Sequence, residues 1–215
     1  MFTGYFIGIL INSVSGFLAL FPLLVLFQSV MASRIKANIK SLFPHALASY
    51  ILCFAVLSIF SVTGIPNIHD LKIDININFV PFTDIFTNRG RFQYIANIML
   101  FIPLGFLLPM LWRKFENKYT TLISGLLLSI FIEVSQLFCY RATDIDDLIM
   151  NTAGTILGYF LFMWVKRIIP KISVFSNEGK NYWNAEPYFY FITAFLVMFF
   201  IQPFISSWLW IFYSN

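Results

Sequence analysis

The first 33 residues of the chain contain no charged side chain. A helix of that length is about 50 Å long, which exceeds the roughly 30 Å hydrocarbon core of a bilayer. Five more long apolar segments follow this one, at residues 42–64, 92–112, 119–140, 148–165 and 188–213. The pattern predicts an all-α, polytopic membrane helix bundle with about six transmembrane helices, and we expect residues 1–215 to form a single membrane domain.

Composition excludes the soluble alternatives. Hydrophobic residues make up 59% of the chain, charged residues only 11%, and the mean hydropathy is +0.79. Soluble domains carry about 25% charged residues. The net charge of +4 could suggest a nucleic-acid partner, but such a partner requires a basic face in polar surroundings. The sequence has no such face, so we expect membrane lipid and no nucleic acid as a partner.

Prolines are expected to distort two of the apolar segments. Pro103 and Pro109 lie inside the third segment and predict an interrupted helix there. Pro203 lies inside the sixth segment and predicts a kink, which membrane helices tolerate when neighbouring groups satisfy the freed backbone.

The distribution of basic residues predicts the orientation. Ten of the fourteen lysines and arginines fall in the first, third and fifth connections between the apolar segments. Because basic residues are enriched in cytoplasmic loops, we expect these connections in the cytoplasm and both termini outside the cell. The second and fourth connections contain most of the acidic residues and would face outward. The expected location is a cell membrane, which the chain crosses several times.

The second connection has a period-two pattern. From Leu71 to Phe79 apolar and polar side chains alternate, which favours an extended strand, and Pro81 should end it. The apolar face of this strand would lie on the membrane or cover the helix bundle. The segment is then either a packed surface loop or a lid over an outward-facing site.

A polar cluster is predicted where the fourth and fifth segments meet. Glu133 and Gln136 are three residues apart and share a helical face. Asp147 and Asn151 begin a stripe that continues through two glycines, and the short connection at Arg141 requires the two helices to be neighbours. The candidate cluster contains Asn97, Glu133, Gln136, Arg141, Asp144, Asp146, Asp147 and Asn151.

The cluster has two interpretations. An ionised carboxylate inside a membrane costs at least about 2.5 kcal/mol, so it is usually paired or functional. In the structural interpretation, Arg141 neutralises Glu133 or Asp147 and the cluster only holds three helices together. In the functional interpretation, one arginine facing four acids leaves a net negative site that takes a proton, a cation or a polar ligand. The acidic residues match no known metal-binding spacing, so no metal site and no cofactor are assigned.

Four sequence elements in the same order resemble the VanZ-like family. They are NFVPF at 78–82, Asn97 with FIPLGF at 101–106, EVSQ at 133–136 and RATDIDDLIMNTAG at 141–154. The resemblance covers residues 75–162. We expect helix packing at residues that lie within these elements or continue the stripe on the fifth segment: Pro103, Gly105, Gly154 and Gly158.

The resemblance implies a bacterial cell-envelope protein that contributes to resistance to teicoplanin, a lipid-bearing glycopeptide antibiotic. It implies no established reaction. One hypothesis is a factor whose outward cluster engages a lipoglycopeptide or a lipid-linked cell-wall intermediate. The alternative is a membrane enzyme acting on such a lipid, with Glu133 or Asp147 as general acid or base. A transporter would lack the usual internal repeats.

Overall fold

The computed structural model describes residues 2–35, 39–73, 77–83, 85–139, 143–174 and 182–214. The described elements are α1 (Phe2–Ile35), α2 (Ile39–Thr63), β1 (Ile77–Asn78), α3 (Asn88–Leu111), α4 (Lys118–Gln136), β2 (Thr143–Asp144), α5 (Ile145–Ile168), α6 (Tyr182–Leu196) and α7 (Gln202–Ser214). Short 3-10 turns at Arg113–Glu116 and Pro170–Ile172 follow α3 and α5.

In the described part of the chain, six helical stretches are long and apolar enough to cross a membrane. They are Phe6–Ser33, Leu42–Thr63, Gly90–Leu111, Lys118–Gln136, Ile145–Ile168 and Ala185–Ile211. The prediction of an all-α polytopic bundle with six spans is confirmed, and each predicted segment corresponds to one span. The fifth span begins three residues earlier than predicted, because Asp144 caps the helix that starts at Ile145.

One compact unit comprises Met1–Asp70 and Phe175–Asn215 and contains α1, α2, α6 and α7. Its interior is largely apolar, with Leu20, Leu52 and Phe60 fully or almost fully buried. Two buried polar groups join its helices. His45 Nε2 lies 2.9 Å from Glu186 Oε2, and Gln202 Nε2 donates to Asn12 Oδ1 at 3.0 Å.

A π-helical turn at Val197–Ile201 joins α6 to α7 directly before Pro203. Proline has no N–H to donate to the carbonyl four residues earlier, which is that of Phe199. The backbone N–H of Ile68 donates to this carbonyl at 3.1 Å instead. The sixth span therefore remains one helical stretch whose irregular turn lies where the sequence predicted a kink.

The second compact unit comprises Leu71–Val174 and contains α3, α4 and α5. Its helices are joined at glycines. A Cβ at Gly154 would lie 2.3 Å from the carbonyl oxygen of Ile98, and one at Gly158 would lie 2.1 Å from that of Ile102. Gly105 of α3 touches the backbone of Thr155 in the same way. Only glycine permits backbones to come this close.

The predicted interruption of the third segment is wrong. α3 runs without a break from Asn88 to Leu111 and contains both Pro103 and Pro109. Phe101, Leu104 and Leu108 are fully buried along this stretch, so tertiary packing holds the helix through the two prolines.

The predicted strand in the second connection is shorter than its alternating pattern. Among the described residues of this connection only Ile77–Asn78 is a strand, and it pairs in parallel with Thr143–Asp144. Residues 74–76 of the pattern lie outside the described residues. The side chains of Phe79 and Val80 are 73% and 61% exposed, so the apolar face does not cover the bundle at these two positions.

Candidate functional site

The candidate site lies within the second unit, where α3 begins, α4 ends and α5 begins. The first turns of α3 supply Gln93, Tyr94 and Asn97, and the last turns of α4 supply Ser129 and Glu133. The acids of the α4–α5 connection complete it.

Asp144 links the two ends of the α4–α5 connection. Its side chain caps α5 by accepting from the backbone N–H of Asp146 at 3.0 Å, and its own N–H donates to Glu133 Oε2 at 2.9 Å. Thr143 adds a bond from its hydroxyl to the Glu133 carbonyl at 3.0 Å. The long bond from Asn78 to Asp144, 3.4 Å, connects the preceding loop. The carboxylate of Asp144 therefore has a structural role.

Asp146 holds the loop before α3 and is 1% exposed. Both of its carboxylate oxygens accept from the backbone N–H of Phe82, at 2.9 and 3.0 Å, and Oδ2 also accepts from the Tyr94 hydroxyl at 2.7 Å. Phe82 has a positive φ of 62°, which a non-glycine residue adopts only when its surroundings hold it there. The Asp146 carboxylate is one such restraint.

Asp147 is half-buried and faces α3. Its Oδ1 accepts from Asn97 Nδ2 at 2.6 Å and from Gln93 Nε2 at 3.2 Å. Asn97 is 6% exposed, whereas Gln93 is exposed. Asp147 thus lies between the buried interior of the cluster and its exposed edge. Two amides hold it, and it forms no ion pair with any residue that the structure describes.

Glu133 and Asn151 form the interior of the cluster. They are 6% and 1% exposed, and Asn151 Nδ2 donates at 3.0 Å to the hydroxyl of Ser129, one turn from Glu133 on α4. Glu133 Oε1 and Asn151 Oδ1 are both buried, and neither accepts a hydrogen bond from any residue that the structure describes. Two such acceptors call for a donor, since an unpaired buried acceptor costs about 1–3 kcal/mol.

The cluster has an excess of negative groups. Glu133, Asp144, Asp146 and Asp147 form no ion pair with any lysine, arginine or histidine in the described part of the chain. Arg141, the predicted partner, lies outside the described residues. The described residues also contain no group of three His, Cys, Asp or Glu side chains able to hold a metal ion. In the described part of the chain the cluster is therefore rich in hydrogen-bond acceptors and in groups that can carry negative charge.

The structure brings together most of the residues that the sequence indicated. Asn97 touches Asp147, Glu133 touches Asp144, and Gln136 is buried one turn from Glu133 on the same helix. Gln93 and Tyr94 were missed by the sequence reasoning. The four-residue spacing of Gln93 and Asn97 was an available signal, because it puts two amides on one face of an apolar helix.

Comparison with known proteins gives concordant results. The model of the VanZ/LLP1 family matches residues 46–166, which include the whole polar cluster. Protein VanZ of Enterococcus faecium is 33% identical over 131 residues, covering 57% of this chain and 74% of that protein. No solved structure matches the chain. The family match spans more than half of the chain, and the described residues contain six helices long and apolar enough to cross a membrane, so this chain is a multi-pass membrane protein of the VanZ/LLP1 family.

Proposed function

We propose that the chain is a cell-envelope resistance factor that engages a teicoplanin-type lipoglycopeptide at the polar cluster. The observation that carries the proposal is the pair of buried acceptors, Glu133 Oε1 and Asn151 Oδ1, which have no donor among the described residues. Family membership supplies the envelope context, and the VanZ-like resemblance supplies the antibiotic class.

The chemistry of the ligand class fits that of the cluster. A lipoglycopeptide has an acyl chain that partitions into the bilayer and a polar part with amines and hydroxyls, which donate hydrogen bonds. Such donors complement Glu133, Asn151 and Asp147, whereas a purely anionic ligand would be repelled by four carboxyl groups. The excess of basic residues in the odd-numbered connections supports an outward orientation of the cluster.

The first test is teicoplanin susceptibility in a sensitive Gram-positive host. The strains express wild type, Asp147→Asn, Glu133→Gln or an empty vector, with membrane abundance matched by immunoblot. Asp70→Asn is the matched control, because Asp70 is an exposed carboxylate that accepts a bond from Asn67 and lies outside the cluster. We expect wild type and Asp70→Asn to protect the host against teicoplanin. At equal abundance, the resistance of strains with Asp147→Asn or Glu133→Gln should fall to that of the empty-vector strain.

Two outcomes would contradict the proposal. If wild type does not protect, this chain shares the family's architecture without the resistance function. If all variants protect equally at matched abundance, the cluster has no part in resistance and only holds the helices together. A cluster variant that is less abundant than wild type points to the same structural role.

The alternative function, a membrane enzyme acting on a cell-envelope lipid, is favoured by one feature of Glu133. This carboxyl group has one oxygen fixed by the Asp144 N–H and one oxygen without a described partner, as a general acid or base needs. The two functions are distinguished by measuring how teicoplanin and envelope lipid bind to wild type and to Glu133→Gln in lipid nanodiscs. A binding factor loses ligand binding and protection together, whereas an enzyme retains lipid binding and loses only its activity.

A further inference from the structure

A cleft of about 230 Å³ lies between α4 and α5, and none of its lining residues belongs to the polar cluster. Lys118, Tyr119 and Leu122 of α4 form one wall, and Ile156 and Tyr159 of α5 form most of the other. At Gly125 of α4 a Cβ would lie 2.3 Å from Thr155 Oγ1, so the two helices touch there. Thr155 also lines the cleft, and the other lining residues have longer or aromatic side chains.

The cleft opens on the surface of the second unit. Tyr119 at its edge is 62% exposed and Phe160 is 59% exposed. All of its lining residues belong to the fourth and fifth membrane spans. Its surface is predominantly apolar, and the bilayer core offers no water to fill it. Hydrocarbon must fill the cleft, and the hydrocarbon available in a membrane is a lipid acyl chain.

One end of the cleft carries a positive charge. Lys118 is the first residue of α4, and its ammonium lies 4.9 Å from the centre of the Tyr119 ring. No acidic residue lines the cleft. The nearby Glu116 forms an ion pair with Lys166, so its charge is already compensated. Lys118 forms no ion pair with any acidic residue that the structure describes. An acyl chain in the cleft would therefore place its headgroup beside this cation.

We propose that this cleft is a binding site for a membrane phospholipid with an anionic headgroup, whose phosphate pairs with Lys118. Basic pockets between membrane helices at the cytoplasmic side bind such headgroups, and the third connection, which contains Lys118, is predicted to be cytoplasmic. The site uses no residue of the polar cluster. The lipid-binding proposal can therefore be tested independently of the proposed function.

The test measures lipid binding by the purified full-length protein in detergent. Phosphatidylglycerol, phosphatidylcholine or glycerol phosphate is titrated in, and the shift in melting temperature and the number of bound lipids by native mass spectrometry are recorded. Lys118→Gln removes the charge, and Lys171→Gln is the matched control, because Lys171 is an exposed lysine outside the cleft. Ile156→Trp fills the cleft while leaving Lys118 in place.

We expect phosphatidylglycerol to raise the melting temperature of wild type and Lys171→Gln more than phosphatidylcholine does. Lys118→Gln should lose that preference and bind about tenfold more weakly, the effect of one charge-assisted contact. Ile156→Trp should bind neither lipid in the cleft. Because a cation is unfavourable at a helix N-terminus, Lys118→Gln should leave α4 folded.

Four results would overturn the proposal. Equal losses for Lys118→Gln and Lys171→Gln would indicate general attraction between a basic protein and anionic lipid. An equal response to glycerol phosphate would indicate a site for free phosphate, and an equal response to phosphatidylcholine would indicate unspecific lipid solvation. Should Ile156→Trp fail to fold, Leu122→Trp fills the cleft from α4 and replaces it, and unchanged lipid binding by this variant would also refute the site.

Discussion

At the residue scale, the four acids of the cluster have different tasks. Asp144 caps a helix and Asp146 restrains a loop, and both are engaged with backbone N–H groups. Among the described residues, Asp147 is held by the side-chain amides of Gln93 and Asn97, and Glu133 keeps one oxygen without a partner. Substitutions of Asp144 and Asp146 should therefore reduce stability. Substitutions of Asp147 and Glu133 should affect ligand engagement.

Asp146→Asn is expected to destabilise the protein by about 1.5–3 kcal/mol, the value of hydrogen bonds to a charged group. The asparagine amide would present a donor where the carboxylate accepts from Phe82 and from Tyr94. The measurement is the melting temperature in detergent, with the exposed Asp70→Asn as control. Tyr94→Phe should have a smaller effect, because it leaves the Phe82 bond in place. Equal melting temperatures for Asp146→Asn and Asp70→Asn would contradict the restraining role.

Much of the cluster was predictable from residue type, because carboxylates and amides at helical spacing are rare in an apolar span. Glu133 with Gln136, and Asp147 with Asn151, were identified in this way. The sequence did not predict which acidic residues stabilise the fold and which are available to a ligand. Whether Asp146 faces the interior depends on the Phe82 N–H and the Tyr94 hydroxyl, and these reach it from more than 50 residues away in the sequence.

At the element scale, α3 and α5 are joined by backbone contacts at glycines. Gly158→Ala is expected to force these helices apart, because the new Cβ would lie 2.1 Å from the Ile102 carbonyl oxygen. Gly8→Ala is the matched control, since its Cβ would meet only Trp210, at an ordinary 3.7 Å. We expect Gly158→Ala to lower the melting temperature and membrane abundance, and Gly8→Ala to leave both unchanged.

A destabilisation of more than 1 kcal/mol is the expected magnitude for Gly158→Ala, as for other overpacked interiors. Equal abundance and melting temperature for the two alanine variants would show that α3 and α5 can separate without cost. The close packing would then not hold the second unit together.

The elements themselves were largely predictable, since apolar length alone gave six spans. The effects of the prolines on the helices were less predictable. Pro203 coincides with an irregular turn and Ile68 satisfies the freed carbonyl, whereas Pro103 and Pro109 leave α3 unbroken. The difference lies in the packing of the surrounding residues, which a local pattern does not contain. The alternating pattern at 71–79 likewise predicted a strand longer than the two residues that pair with Thr143–Asp144.

At the scale of the whole molecule, the remaining question is which side of the membrane the polar cluster faces. Ten of fourteen basic residues lie in the odd-numbered connections, which predicts that the second and fourth connections, and with them the cluster, face outward. An extracellular ligand requires this orientation. The loop that Asp146 restrains and the fifth connection would then be on opposite sides of the bilayer.

Cysteine labelling in intact cells tests this orientation. Thr83 and Lys171 are both exposed, in the second and fifth connections respectively, while the native Cys53 and Cys139 are buried and give a low background. With an impermeant thiol reagent, Thr83→Cys should react in intact cells, and Lys171→Cys should react only after permeabilisation, with wild type as the unreactive control. The reverse pattern would put the four acids in the cytoplasm, where an external lipoglycopeptide does not reach them. It would also move Lys118 to the outer surface, where its lipid partner would have to come from the outer leaflet.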